Sequence, residues 1–266
     1  MLRQRILTAV ILGPMLLWLV LWAPPLATLA VIAGAILVGA WEWSRFCGLE
    51  TLRTRIRYVL LLAAMMALAW RYFGDARVLN AVLVVALIWW LVALVWLAVA
   101  PQRKHVLLAA LAGIAVLIPT WVALSHLHRA QQGPQLVLFV LLLVFAADIG
   151  AYFAGRAFGR LKLAPLVSPG KTWEGVLGGL CGAALIAIAG AFWFKFETSA
   201  FLALCSAVAA VSVVGDLTES MFKRHVGLKD SGAILPGHGG ILDRIDSITA
   251  AAPIFALGML WFKVLP

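Results

Sequence analysis

Nine stretches of this 266-residue chain are apolar for long enough to approach the roughly 20 residues a helix needs to cross the hydrocarbon core of a bilayer. They run over 6–23, 26–43, 58–70, 78–100, 106–125, 135–154, 176–194, 199–216 and 248–264, the third being short for a span. The composition agrees: 64% of residues are hydrophobic and 12% charged, about half the charge density of a soluble domain, where roughly a quarter of residues are charged. The expectation is an all-α, polytopic integral membrane protein with about nine transmembrane helices. Linkers, low-complexity runs and solenoid repeats are absent. Residues 1–266 therefore read as one integral domain, with a helical scaffold over about 1–130 and the chemistry over about 135–266. The first run follows Arg3 and Arg5 as in a secretory signal, but no small-residue cleavage site ends it and Pro24-Pro25 leads into another span, so a retained helix is expected. Cys47, Cys181 and Cys205 are isolated and read as small core residues, not disulfides or metal ligands.

Orientation follows from the cations, because cytoplasmic loops carry the Lys/Arg excess. With the N-terminus inside, sixteen basic residues fall on the inner side: Arg3, Arg5, Arg45, Arg53, Arg55, Arg57, Arg103, Lys104, Arg156, Arg160, Lys162, Lys171, Lys223, Arg224, Lys229 and Arg244. Five fall outside: Arg71, Arg77, Arg129, Lys195 and Lys263. The net charge of +10 is thus an orientation signal plus attraction to anionic headgroups, and nothing points to nucleic acid.

Acids are scarcer and more informative. Eight of eleven lie between 148 and 246, and seven of these, Asp148, Glu174, Asp216, Glu219, Asp230, Asp243 and Asp246, fall in or beside the two largest inner loops. Asp148 and Asp216 sit at the ends of apolar helices, where a carboxylate is costly unless it meets a cation, a partner or water, so a functional site is the default reading. The run GHGGILDRID, 237–246, concentrates polar groups in an apolar chain. Ile241 to about Phe262 reads as the last helix, with Asp243 and Asp246 on one face at i, i+3. Two ionised carboxylates that close call for a cation, and Mg2+, held by carboxylates while keeping waters and substrate phosphates, suits oxygen-only ligands. The plainer alternative is that both acids favour a helix N-terminus through its dipole. Gly237, Gly239 and Gly240 before a helix start form a phosphate-binding corner, with His238 placed to donate to a phosphate or move a proton.

Upstream, Asp216, Ser220, Lys223 and Arg224 form one helical stripe, and Lys229 and Asp230 follow across Gly227. A carboxylate for a metal beside several cations is the composition needed to hold a nucleoside triphosphate and transfer its phosphorus. A second island, SPGKTWEG at 168–175, contains Gly-Lys-Thr, but a P-loop needs glycine where Pro165 stands. It reads as a short inner segment with Ser168 as N-cap of the next helix and Lys171 and Glu174 on one face.

Ser220-x-x-Lys223-Arg224, Lys229-Asp230-Ser231-Gly232 and Leu235-Pro236-Gly237-His238-Gly239-Gly240-Ile241-x-Asp243-Arg244-Ile245-Asp246-Ser247 together resemble the C-terminal hallmark of the phosphatidate cytidylyltransferase (CDP-diacylglycerol synthase) family. SPGKTWEG and the segment from Asp148 to Gly159 resemble further family stretches, while Gly170 stands where many relatives carry a basic residue. The resemblance implies a homodimeric enzyme at the cytoplasmic face of the inner membrane, joining CTP and phosphatidic acid into CDP-diacylglycerol and pyrophosphate. It implies Mg2+ on Asp216, Asp243 and Asp246, with K+ sharing the carboxylates. Catalytic roles then fall to Asp243, Asp246, Lys223, Arg224, Arg244 and His238, and substrate contacts to Ser220, Lys229, Asp230, Gly239, Gly240, Lys171, Glu174 and Asp148. Two rivals remain. A CDP-alcohol phosphotransferase would show a DxxDG…AR…GxxxDxxxD pattern, absent here, and an ion-coupled transporter would show paired helix interruptions in both halves.

Overall fold

The computed structural model describes residues 2–234 and 239–262. Among them are nine helices: α1 (Leu2–Leu21), α2 (Pro25–Trp43), α3 (Leu52–Arg71), α4 (Ala76–Val99), α5 (Val106–Arg129), α6 (Gly133–Phe158), α7 (Trp173–Phe194), α8 (Thr198–His225) and α9 (Leu242–Trp261). Six of these, α2 and α4 to α8, are long and apolar enough to cross a membrane, making the chain a polytopic, all-α membrane protein. The short third run belongs to a 20-residue helix, about 30 Å at 1.5 Å per residue, whose first turns carry Arg53, Arg55 and Arg57.

Local chemistry sets the helix starts. Pro25 at the first position of α2 has the fixed φ a helix needs and no N–H to orphan. Asp75 accepts from the amides of Arg77 and Val78 at 2.8 and 3.4 Å to open α4. Glu197 accepts from Ser199 and Ala200 at 3.0 and 2.7 Å to open α8. Each cap satisfies donors that the first helical turn cannot pair internally.

Packing centres on α9 and α5. From Ser247 to Met259 every residue of α9 is buried, because α8, α5, α4, α6 and α2 all pack on it. Enclosure by protein explains why the helix bearing Asp243, Arg244 and Asp246 need not be as apolar as its neighbours. The tightest pair is α6 with α7, joined along Ala147, Gly150, Ala151, Ala154 and Gly155 on one side and Gly175, Gly178, Gly179 and Gly182 on the other. Small residues let helix backbones approach closely where lipid supplies no hydrophobic drive to associate.

Between α6 and α7 the chain forms an antiparallel hairpin, β1 (Lys162–Ala164) with β2 (Ser168–Thr172), in register Lys162 with Thr172 and Ala164 with Ser168. Two expectations are corrected here. Ser168 lies in β2 and does not cap α7; Thr172 does, its hydroxyl accepting from Gly175 N at 3.1 Å. Lys171 lies within β2 and Glu174 in the first turn of α7, so they do not share a helical face. Cys47 and Cys205 are buried free thiols as expected, whereas Cys181 is exposed on α7, an outward position that suits an apolar side chain when the surroundings are lipid.

Candidate functional site

The site lies at the end of the bundle where α2, α6 and α8 finish and α7 and α9 begin. Contacts between distant segments tie that end together. His225 Nε2 lies 2.7 Å from the carbonyl of Pro101, and Arg45 donates to the Ser231 carbonyl at 3.1 Å. Phe222 packs among Trp43, Phe46 and Trp96, with ring centroids 5.2, 6.3 and 5.6 Å away. This aromatic box fixes the last turns of α8 and hence the direction of the neighbouring Lys223.

Lys223 Nζ sits 2.7 Å from Asp243 Oδ1 and 3.1 Å from Glu219 Oε1. All three side chains are enclosed, at 11% exposure for Lys223, 7% for Asp243 and 2% for Glu219. The other Asp243 oxygen, Oδ2, accepts from Ser231 N, Ser231 Oγ and Gly240 N at 2.9, 2.9 and 2.8 Å. Asp243 is thus held by protein donors at both oxygens, and a metal there would compete with them.

Glu42, at the end of α2, was absent from the residues the sequence singled out. It is 2% exposed and accepts from Ile241 N at 3.1 Å, Leu242 N at 2.8 Å and Ser231 Oγ at 3.0 Å. The amides of Gly240, Ile241 and Leu242 are therefore spent on Asp243 and Glu42, so the glycine corner does not present them to a phosphate. The physical reason is that two carboxylates already answer the partial positive charge of the α9 N-terminus. Gly239 does adopt the left-handed φ of +82° that glycine takes at little cost. Gly237 and His238 lie outside the described residues.

Asp148 and Asp216 face a more open region, with Asp246 enclosed behind them and accepting from Ser247 N at 2.7 Å. Lys171 Nζ pairs with Asp216 Oδ2 at 2.6 Å, with side chains 26% and 29% exposed. Ser220 Oγ donates to Asp216 Oδ1 at 3.4 Å. Asp148 lies within electrostatic reach of Asp216 and Lys171, and Asp246 within reach of Asp216, Lys223 and Lys171. A cleft of 420 Å³ opens here, lined among others by Asp148, Tyr152, Arg156, Lys171, Thr172 and Asp216. Arg156 donates to the Tyr152 hydroxyl across its wall at 2.8 Å.

Other sequence-predicted residues do not converge on the cleft. Arg224 turns away from Lys223 and reaches the carbonyls of Val167 and Leu228 at 3.5 and 3.3 Å. Glu174 accepts from Leu161 N at 3.1 and 3.2 Å, tethering the segment before the hairpin. Lys229, Asp230 and Arg244 are exposed beside the site.

Asp148, Asp216, Glu219, Asp243 and Asp246 share this region with Lys171, Lys223 and Arg156, so acidic groups outnumber basic ones. An oxygen-only donor set with surplus charge and partial exposure fits a hard divalent cation that keeps waters and ligand phosphates in its shell. Among the described residues no three His, Cys, Asp or Glu side chains form a ready-made metal cage, so Asp216 and Asp246 would supply only part of the coordination.

A profile for the cytidylyltransferase family matches residues 3–262. The chain is 44% identical to a phosphatidate cytidylyltransferase of Pseudomonas aeruginosa, over 98% of this chain and 97% of that protein. It is 42% identical to one from Haemophilus influenzae, over 96% and 98%. One from Staphylococcus haemolyticus is 45% identical over 47% of this chain and 48% of its own length.

Proposed function

The chain belongs to the cytidylyltransferase family, and from that premise we infer that it joins CTP to phosphatidate, giving CDP-diacylglycerol and pyrophosphate. An oxygen of the phosphatidate phosphate attacks the α-phosphorus of CTP, and the bond from that phosphorus to the bridging oxygen of the β-phosphate breaks. The nucleophile is already an anion, so the step needs no strong base. The barrier lies in bringing two polyanions together, which charge complementarity lowers.

The observation that carries this reading is the run of carboxylates and lysines from Asp148 through Lys171, Asp216 and Asp246 to Lys223, gathered at one end of an apolar bundle beside an open cleft. Lys171 and Arg156 are positioned to neutralise CTP phosphates entering that cleft, and Ser220 keeps Asp216 oriented. Asp216 and Asp246 are the proposed holders of Mg2+, with Asp243 joining them in competition with Lys223; the ion, when bound, supplies positive charge against the phosphate oxygens. Family likeness extends the proposal to K+ at the same carboxylates and to a homodimer.

The sixteen-to-five distribution of cations supports placing this end in the cytoplasm, in a bacterial-type inner membrane. A membrane-embedded site suits phosphatidate, which can reach it without leaving the bilayer. The test is purified protein with labelled CTP and phosphatidate, with and without Mg2+, beside Asp216→Asn and Asp246→Asn. Labelled CDP-diacylglycerol that requires metal and falls at least about a hundredfold in both variants is expected, the scale seen when one oriented electrostatic group is lost. Folded wild type that never forms the product overturns the proposal.

A further inference from the structure

We propose that Glu42 is a positioning residue for this reaction, acting from the N-terminal half of the chain through Ser231 on Asp243 and thence on Lys223. The inference rests on the cytidylyltransferase reading of the Asp243 and Lys223 region but adds a residue from outside it.

Glu42 is a carboxylate at the end of an apolar helix, 2% exposed, a position that is costly unless fully compensated. Its compensation comes from α9 and the segment before it. Oε1 takes the amide of Ile241, and Oε2 takes the amide of Leu242 and the Ser231 hydroxyl. Among the described residues it makes no ion pair, so its charge is balanced by the first amides of α9. The Ser231 hydroxyl also lies 2.9 Å from Asp243 Oδ2. With one proton to give, it serves the two carboxylates one at a time and couples their positions. The backbone is pressed against this group: a Cβ at Gly232 would meet the Glu42 carboxylate, and one at Gly240 would meet both Glu42 oxygens and the Ser231 hydroxyl. The cap therefore fixes the start of α9, the rotamer of Asp243 and the place of the Lys223 ammonium.

The consequence is kinetic. A loosened cap displaces groups that orient reacting phosphates, which lowers turnover more than affinity, because misplacement by an ångström can cost roughly a hundredfold in rate. The experiment compares full-length wild type, Glu42→Gln, Ser231→Ala and the double variant in detergent, with CTP, phosphatidate and Mg2+. It reads kcat, KM for CTP, the thermal midpoint and amide exchange across 239–246, with kinetics run well below every midpoint. Glu42→Gln keeps the size but turns one acceptor into a donor facing an amide. Its kcat is expected to fall between about tenfold and a hundredfold with KM within about threefold. Exchange across 239–246 should quicken while α5 stays protected, and the double variant should be little worse than its worse parent. Unchanged kcat overturns the proposal even if the midpoint drops, since Glu42 would then be structural only. Losses that multiply overturn the route through Ser231. If wild type itself makes no CDP-diacylglycerol, the functional reading falls separately and the exchange arm decides alone: quickening supports the clamp, and unchanged protection overturns it.

Discussion

Replacing Lys223 by Met separates the electrostatics of the closed half of the site from its chemistry. At an effective dielectric constant near 20, charges 2.7 and 3.1 Å apart attract by about 6 and 5 kcal/mol. Returning the ammonium to water offsets several kcal/mol of that sum, and Asp243 keeps two backbone amides and a share of the Ser231 hydroxyl, so the stranded group is chiefly Glu219. The net loss should be about 3–5 kcal/mol, the usual penalty for removing one partner of a buried pair. Adding Glu219→Gln removes the stranded charge, and the double variant should recover most of that stability without recovering turnover. Denaturant titration in detergent micelles gives the first quantity and CDP-diacylglycerol formation the second. A loss below about 1 kcal/mol, typical of an exposed pair, would refute the claim that the pair is buried. No recovery in the double variant would refute the assignment of the penalty to Glu219.

Two further outcomes are expected. Gly178→Ala drives a methyl into Ala154 Cβ and the Gly150 carbonyl and should cost about 1–3 kcal/mol by overpacking, read as a lower thermal midpoint. Burial pushes the Cys47 thiol up to about 12; the neutral thiol is then the form present at pH 8, and the reactive thiolate appears only as pH rises through that value. Iodoacetamide at pH 8 should leave Cys47 unlabelled in folded protein and label it after denaturation, as mass spectrometry of the 47-containing peptide will report; rapid labelling of the folded protein would contradict its burial.

The helices were legible in the sequence because apolar length is a direct measure of what can sit in lipid. Their ends were less so, and for one reason. Counting hydrophobic residues closed the eighth run at 216, but α8 continues to His225, because Glu219 and Lys223 face α9 and not lipid. The hairpin escaped because strands of three and five residues containing Pro169 and flanked by Pro165 leave no periodicity to read. Asp243 and Asp246 were found by spacing, but spacing shows neither that Ser231 and Lys223 hold Asp243 nor that Arg224 turns toward Val167. Glu42 was the avoidable omission. It is the first acid in the chain and ends an apolar helix, the same signal that singled out Asp148 and Asp216. Treating the first half as scaffold hid it.

The arrangement divides the acids by who compensates them. Glu42 and Asp243 are answered from within, by Lys223, Ser231 and the amides that open α9, while the buried Glu219 has the Lys223 ammonium at 3.1 Å and no hydrogen-bond donor among the described residues. Asp148, Asp216 and Asp246 share Lys171, with Lys223 in electrostatic reach of Asp246, and that half is where the cleft opens. Acids that outnumber their cations next to solvent attract further cations, whereas paired charge next to a packed core resists movement. A catalyst for two polyanionic substrates needs both properties side by side: an acceptor region for metal and phosphate, and a wall rigid enough to hold the phosphates in line. Asp246 stands at the boundary, three residues from the carboxylate that Lys223 holds and within electrostatic reach of the partly exposed Asp216. Its substitution should therefore remove metal-dependent turnover while leaving the Glu42 cap intact.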